Sequence, residues 1–150
     1  MNSKKFAKNL IDFIYNSPTA FHAVSTSKEL LDANGFIELE SCKMWDIKVG
    51  GKYYITKNSS AIVAFTVNSD NIEKEGFRII GSHSDSPSFR IKPNAEIESE
   101  KAYLKLNTEC YGGPILSTWL DRPLGIAGTV IIRTDNNLKR KVGIEILDNP

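Results

Sequence analysis

The run Phe77-Arg78-Ile79-Ile80 is followed directly by Gly81-Ser82-His83-Ser84-Asp85-Ser86-Pro87. The short apolar run reads as a buried strand. Gly81 ends it, and Pro87 fixes the turn beyond. In open α/β sheets, ligands bind past the carboxyl ends of strands, which is where this arrangement puts His83 and Asp85. An imidazole binds a metal ion, and a carboxylate two residues on can orient that imidazole or poise the site's chemistry. The other histidine of the chain, His22, lies in a predicted helix. A catalytic zinc takes about three protein ligands plus an open position. Most of such a metal site is therefore missing from these residues.

The segments around this motif predict a mixed α/β start. Phe6, Leu10, Phe13 and Ile14 make one apolar face of a first helix ending near Asn16. Ser17-Pro18-Thr19 breaks and restarts the chain, with Pro18 expected near the first turn of the next helix. Phe21, Val24, Leu30 and Leu31 mark that second helix, and Gly35 after Asn34 caps it. Strands are expected over Phe36–Leu39, Lys52–Thr56 and Ala61–Val67, the last two joined by Asn58-Ser59-Ser60. The polar stretch Asn68–Gly76 reads as a loop.

After Pro93 the pattern turns nearly all-β. Ala95–Lys101 is charged, Tyr103, Leu104 and Leu106 suggest a strand, and Tyr111–Pro114 is a turn. Ile126–Arg133 and Lys141–Ile146 read as strands around Asp135-Asn136-Asn137, a hairpin signal. The shift places a second domain over residues 93–150, after a first over residues 1–92. A strand close to Pro150 would leave an unpaired edge.

Composition narrows the class. The 150 residues are 41% hydrophobic and 25% charged, with net charge +1. That suffices for one sizeable core and gives no electrostatic reason to expect nucleic acid or a membrane surface. No stretch is apolar enough to span a bilayer, and Met1–Asn16 is not a signal peptide. Cys42 and Cys110 are far apart, as expected of packing residues in a reducing, cytoplasmic compartment.

Other motifs are weaker. The serines Ser82, Ser84, Ser86 and Ser88 lack the Gly-x-Ser-x-Gly elbow of a serine hydrolase. Gly112-Gly113 has neither the Lys-Ser/Thr ending nor the helix of a phosphate loop. His22 is expected on a helix surface or partly packed. Trp119, Asp121 and Arg122 are expected to form a buried ion pair or a turn beneath the indole.

Taken together, the motifs identify a resemblance. Gly81–Pro87 is similar to the Gly-x-His-Thr/Ser-Asp-Ser-Pro signature of the M18 metallopeptidases, the aspartyl aminopeptidase family. Ser17-Pro18-Thr19-Ala20-Phe21-His22-Ala23-Val24 resembles an early family segment, as does Gly50-Gly51-Lys52-Tyr53-Tyr54. Tyr111-Gly112-Gly113, Thr118-Trp119-Leu120-Asp121-Arg122 and Ala127-Gly128 follow in family order. Pro114 stands where a third glycine is usual, and Thr129 where arginine is usual, which bears on local loop shape and on a contact of the inserted domain.

The resemblance implies the first part of a zinc aminopeptidase. The fold class would be the start of an α/β catalytic domain followed by the first part of an inserted all-β domain used for subunit contacts. His83 would be one ligand of a two-zinc centre, and Asp85 the carboxylate that orients it. The remaining Asp, Glu-Glu and His ligands and the general-base Glu come later in the family's polypeptides. The implied reaction is metal-assisted hydrolysis of peptides at the N-terminal residue, acidic residues being suggested by the family's name, in a homo-oligomer. With one ligand, residues 1–150 alone are expected to be inactive. The competing reading is a short non-catalytic module that pairs with a full-length relative through Pro93–Pro150. Further coding sequence carrying an Asp, an adjacent Glu pair and a His would decide between them.

Overall fold

The computed structural model describes residues 3–134 and 137–145. Two helices come first. α1 spans Ser3–Tyr15, with an exposed Lys8–Asp12 ion pair of 3.1 Å one turn apart. Its predicted apolar face forms but stays in solvent: Phe6, Leu10 and Ile14 are each more than half exposed. α2 spans Ala20–Ala33. Thr19 is its N-cap, so Pro18 precedes the cap and does not enter the first turn. At the other end Gly35 takes φ 76°. Its N–H donates to the Asp32 carbonyl, and the Phe36 N–H donates to that of Leu31, both at 3.0 Å. This is the two-bond closure that a left-handed residue after a helix permits.

A three-stranded sheet follows, in the order β1 (Ile37–Glu38), β2 (Lys52–Lys57), β3 (Ala61–Thr66). β1 runs parallel to β2, and β3 antiparallel to it, from Lys52 opposite Thr66 to Lys57 opposite Ala61. The turn between β2 and β3 is left-handed at Asn58 and Ser59 (φ 52° and 57°), and the Ser60 N–H closes it on the Lys57 carbonyl at 3.1 Å.

The core of this unit sits on β2. Neighbouring side chains on a strand point to opposite faces, yet Tyr53 and Tyr54 are both buried, so β2 is covered on both sides. The Tyr54 hydroxyl donates to Asp32 Oδ1 of α2 at 2.8 Å. The Tyr53 hydroxyl accepts the Lys48 N–H at 3.1 Å, and its ring lies 5.7 Å from that of Phe65 opposite. Val24 and His22 of α2 are also buried.

Three expectations need correction here. The expected loop at 68–76 contains a short helix, α3 (Ile72–Glu75). Phe77–Ile80 forms no strand: Phe77, Ile79 and Ile80 are 78%, 84% and 100% exposed. A strand exists only in a ladder, and among the described residues nothing pairs with this run. Cys42 and Cys110 are free thiols but are exposed rather than packed. Cys42 lies in the turn after β1, and Cys110 on a ribbon strand open to solvent.

The chain divides into two compact units: the described residues up to Asp85 with Ala127–Glu145, and Ser86–Ile126. The second unit is built on an antiparallel ribbon of β4 (Ser88–Ser99) and β5 (Tyr103–Tyr111). The charged stretch 95–101, not expected as a strand, largely belongs to β4. The ladder shifts register between Ile91 and Glu96, around Pro93. Proline cannot donate to a ladder and is tolerated at such an irregularity. Phe89 and Trp119 meet edge to face, with centroids 5.2 Å apart, and the Arg90 guanidinium lies 3.5 Å over the Tyr111 ring. Of the two arrangements expected around Trp119, the turn forms and the buried ion pair does not: Trp119 is in a turn after Leu116–Thr118, Asp121 and Arg122 are exposed, and Arg122 Nη1 donates to the Thr118 carbonyl at 3.4 Å.

β6 (Ile126–Thr134) and β7 (Asn137–Glu145) pair with each other. β7 begins earlier than the expected Lys141, so Asn137 is in the strand. Asp135 and Asn136 of the expected turn lie outside the described residues. Ile131 of β6 is 65% exposed.

Candidate metal-binding segment

Residues 81–87 have no regular secondary structure. Within them, His83 and Asp85 meet as their spacing implies. His83 Nδ1 lies 2.7 Å from the Asp85 carbonyl oxygen and 3.1 Å from Asp85 Oδ1. Both partners are oxygens that accept when the carboxylate is ionised, so Nδ1 carries the proton and donates. That leaves Nε2 as the ring nitrogen with a lone pair. The His83 side chain is 80% exposed and that of Asp85 45%, so the pair is accessible to an ion.

Ser84, between them, is half-buried, and its hydroxyl donates to the Ser60 carbonyl at 2.9 Å. It faces a backbone acceptor and no general base, so it is not an activated nucleophile. The Ser82 hydroxyl donates to the His83 carbonyl at 3.3 Å.

His22 is elsewhere in the fold's logic. It is buried on α2, beyond the partly packed state expected of it, and its Nδ1 lies 2.7 Å from Thr19 Oγ1, the cap of its own helix. Among the described residues no group of three or more His, Cys, Asp or Glu side chains is placed to hold a metal ion. The donor chemistry nevertheless fits zinc at one position: an accessible imidazole whose second nitrogen is bonded to a carboxylate is the usual arrangement of a zinc-binding histidine. The contact that sequence reading missed is that of Ser84 with Ser60. No local pattern links residues 24 apart.

The chain is similar to known proteins along nearly its whole length. The family model described as aminopeptidase I zinc metalloprotease (M18) matches residues 13–150. A probable M18 family aminopeptidase 2 of Clostridium novyi is 56% identical over 99% of this chain and 34% of its own length. The corresponding protein of Clostridium acetobutylicum is 58% identical over 88% of this chain and 30% of its own. Among solved structures, the S. cerevisiae mApe1 dodecamer superposes with a TM-score of 0.83 at 32% identity, covering 96% of this chain and 34% of that one. The chain thus spans about a third of the length of the relatives it matches. With a family match over nearly all its residues, the chain belongs to the M18 family of zinc metallopeptidases.

Proposed function

We propose that this chain is the N-terminal part of a zinc-dependent aminopeptidase that removes N-terminal residues, acidic ones among them, from peptides. The observation that carries the reading is the His83–Asp85 contact. His83 would hold zinc through Nε2, as one ligand of a two-ion centre. Asp85 holds the imidazole in the tautomer that leaves Nε2 facing away from it, free to take the ion. When bound, zinc supplies polarisation of the scissile carbonyl and activation of water. The other ligands and the general base belong to the part of the polypeptide beyond this third.

The same reading assigns the β4–β5 ribbon to the start of an inserted β-domain used for subunit contacts. The dodecameric yeast relative supports a homo-oligomer. A cytoplasmic location fits two exposed free thiols. Among the described residues no helix is long and apolar enough to cross a membrane.

The test is a peptidase assay of residues 1–150 with added zinc or cobalt. No turnover is expected, because one imidazole does not hold a catalytic ion. Turnover that disappears in His83→Ala would show that this third of the length is an enzyme by itself and overturn the reading.

A further inference from the structure

We propose that Ser84 is a positioning residue for the metal centre, and that the β2–β3 turn is the anchor against which His83 and Asp85 are held. The inference rests on the reading of His83 as a zinc ligand. The His83–Asp85 contact spans two residues and sets the orientation of the ring, but a contact so local moves with the segment and does not fix its place in the fold. Residues 81–87 belong to no ladder or helix, and neither does the preceding run 77–80. A hydrogen bond ties this segment to the turn between β2 and β3: Ser84 Oγ donates to the Ser60 carbonyl at 2.9 Å, across 24 residues.

The acceptor is itself rigidly presented. Ser60 closes the turn through its N–H to the Lys57 carbonyl at 3.1 Å, and the strand register resumes at once with Lys57 opposite Ala61. Asn58 and Ser59 supply the left-handed backbone (φ 52° and 57°) that aims the chain back along β3. Asparagine adopts this region more readily than most residues. Side-chain exposure follows the same division of labour: His83 faces solvent, while Ser84 is half-buried and turned to the turn. Ser84 therefore fixes the backbone between the ligand and its orienting carboxylate.

The experiment uses the polypeptide extended to the length of its relatives. Zinc affinity is measured by competition with a chromophoric chelator, cobalt(II) absorption reports ligand geometry, and thermal unfolding of the metal-free protein monitors the fold. Ser84→Ala is expected to weaken zinc binding about tenfold, the usual scale for groups that hold a ligand in place. It is expected to alter the cobalt spectrum and to leave metal-free unfolding unchanged. Ser84→Thr, which keeps the hydroxyl, is expected to restore both. Ser59→Pro, whose ring forbids the positive φ, is expected to give a similar loss, with no further loss in combination with Ser84→Ala. If Ser84→Ala does not fold, Ser84→Val, which has the shape of the threonine variant without its hydroxyl, reads the same quantity. Unchanged affinity on removing the hydroxyl, or a loss that threonine does not repair, overturns the proposal while His83→Ala still abolishes binding. Wild-type affinity in His83→Ala instead removes the ligand reading itself, and this inference with it.

Discussion

His83 Nδ1 lies within 3.1 Å of Asp85 Oδ1 and 2.7 Å of the Asp85 carbonyl oxygen. One residue thus presents the imidazole with two acceptors, one neutral and one charged. The neutral one is enough to fix the tautomer. The charged one adds a second, charge-assisted hold on the same nitrogen.

Asp85→Asn separates these effects. The backbone contact survives, and the charge does not. Zinc affinity of the extended protein is expected to fall by about one order of magnitude, while Asp85→Glu, which moves the charge but keeps it, falls less. Chelator competition reads both.

Tyr54 links the sheet to α2, and removing its hydroxyl tests that link. Tyr54→Phe loses the bond to Asp32 and is expected to cost about 1 kcal/mol in urea unfolding. Burial pushes the Tyr54 phenol above its ordinary range, and the hydrogen bond to Asp32 adds to the rise. Its folded pKa therefore exceeds its unfolded one, near 10. The associated stability is fully present below about pH 10 and is lost as pH rises beyond it, because the unfolded state releases its proton first. A fall in unfolding free energy above about pH 10, smaller in Tyr54→Phe, is the expected profile.

Gly51 lies against the Tyr53 ring so closely that an added Cβ would overlap it. The ring is buried between strand and loop, its hydroxyl held by the Lys48 N–H, so it has little room to yield. Gly51→Ala is expected to destabilise by about 1–3 kcal/mol, as overpacking does. The neighbouring Gly50→Ala tests a different cause, since nothing lies within 4 Å of it and only its φ of +83° opposes a side chain. Denaturant midpoints of the two variants compare the mechanisms.

The parts of the fold that sequence reading recovered are those with local causes. Thr19 and Gly35 bound α2 because caps act within a turn of the helix end. Asn58-Ser59-Ser60 joins β2 to β3 because left-handed backbone selects such residues. Phe77–Ile80 was misjudged because pairing is a property of two segments, and the apolar pattern describes only one. β4 was missed through its charged half because the ribbon residues Glu96 and Glu98 face solvent, so no alternation of burial marks the strand. The same holds for the site. The spacing of His83 and Asp85 was legible, since their contact is local, whereas the grip of Ser60 on Ser84 depends on the folded path between them.

The most direct measurement is the zinc content and peptidase turnover of the extended protein beside its His83→Ala variant, after dialysis against a weak chelator. The parent is expected to retain zinc and cleave N-terminal residues, and the variant to lose both while keeping its fold. A variant that retains zinc and turns over like the parent would contradict the assignment of His83 to the metal centre.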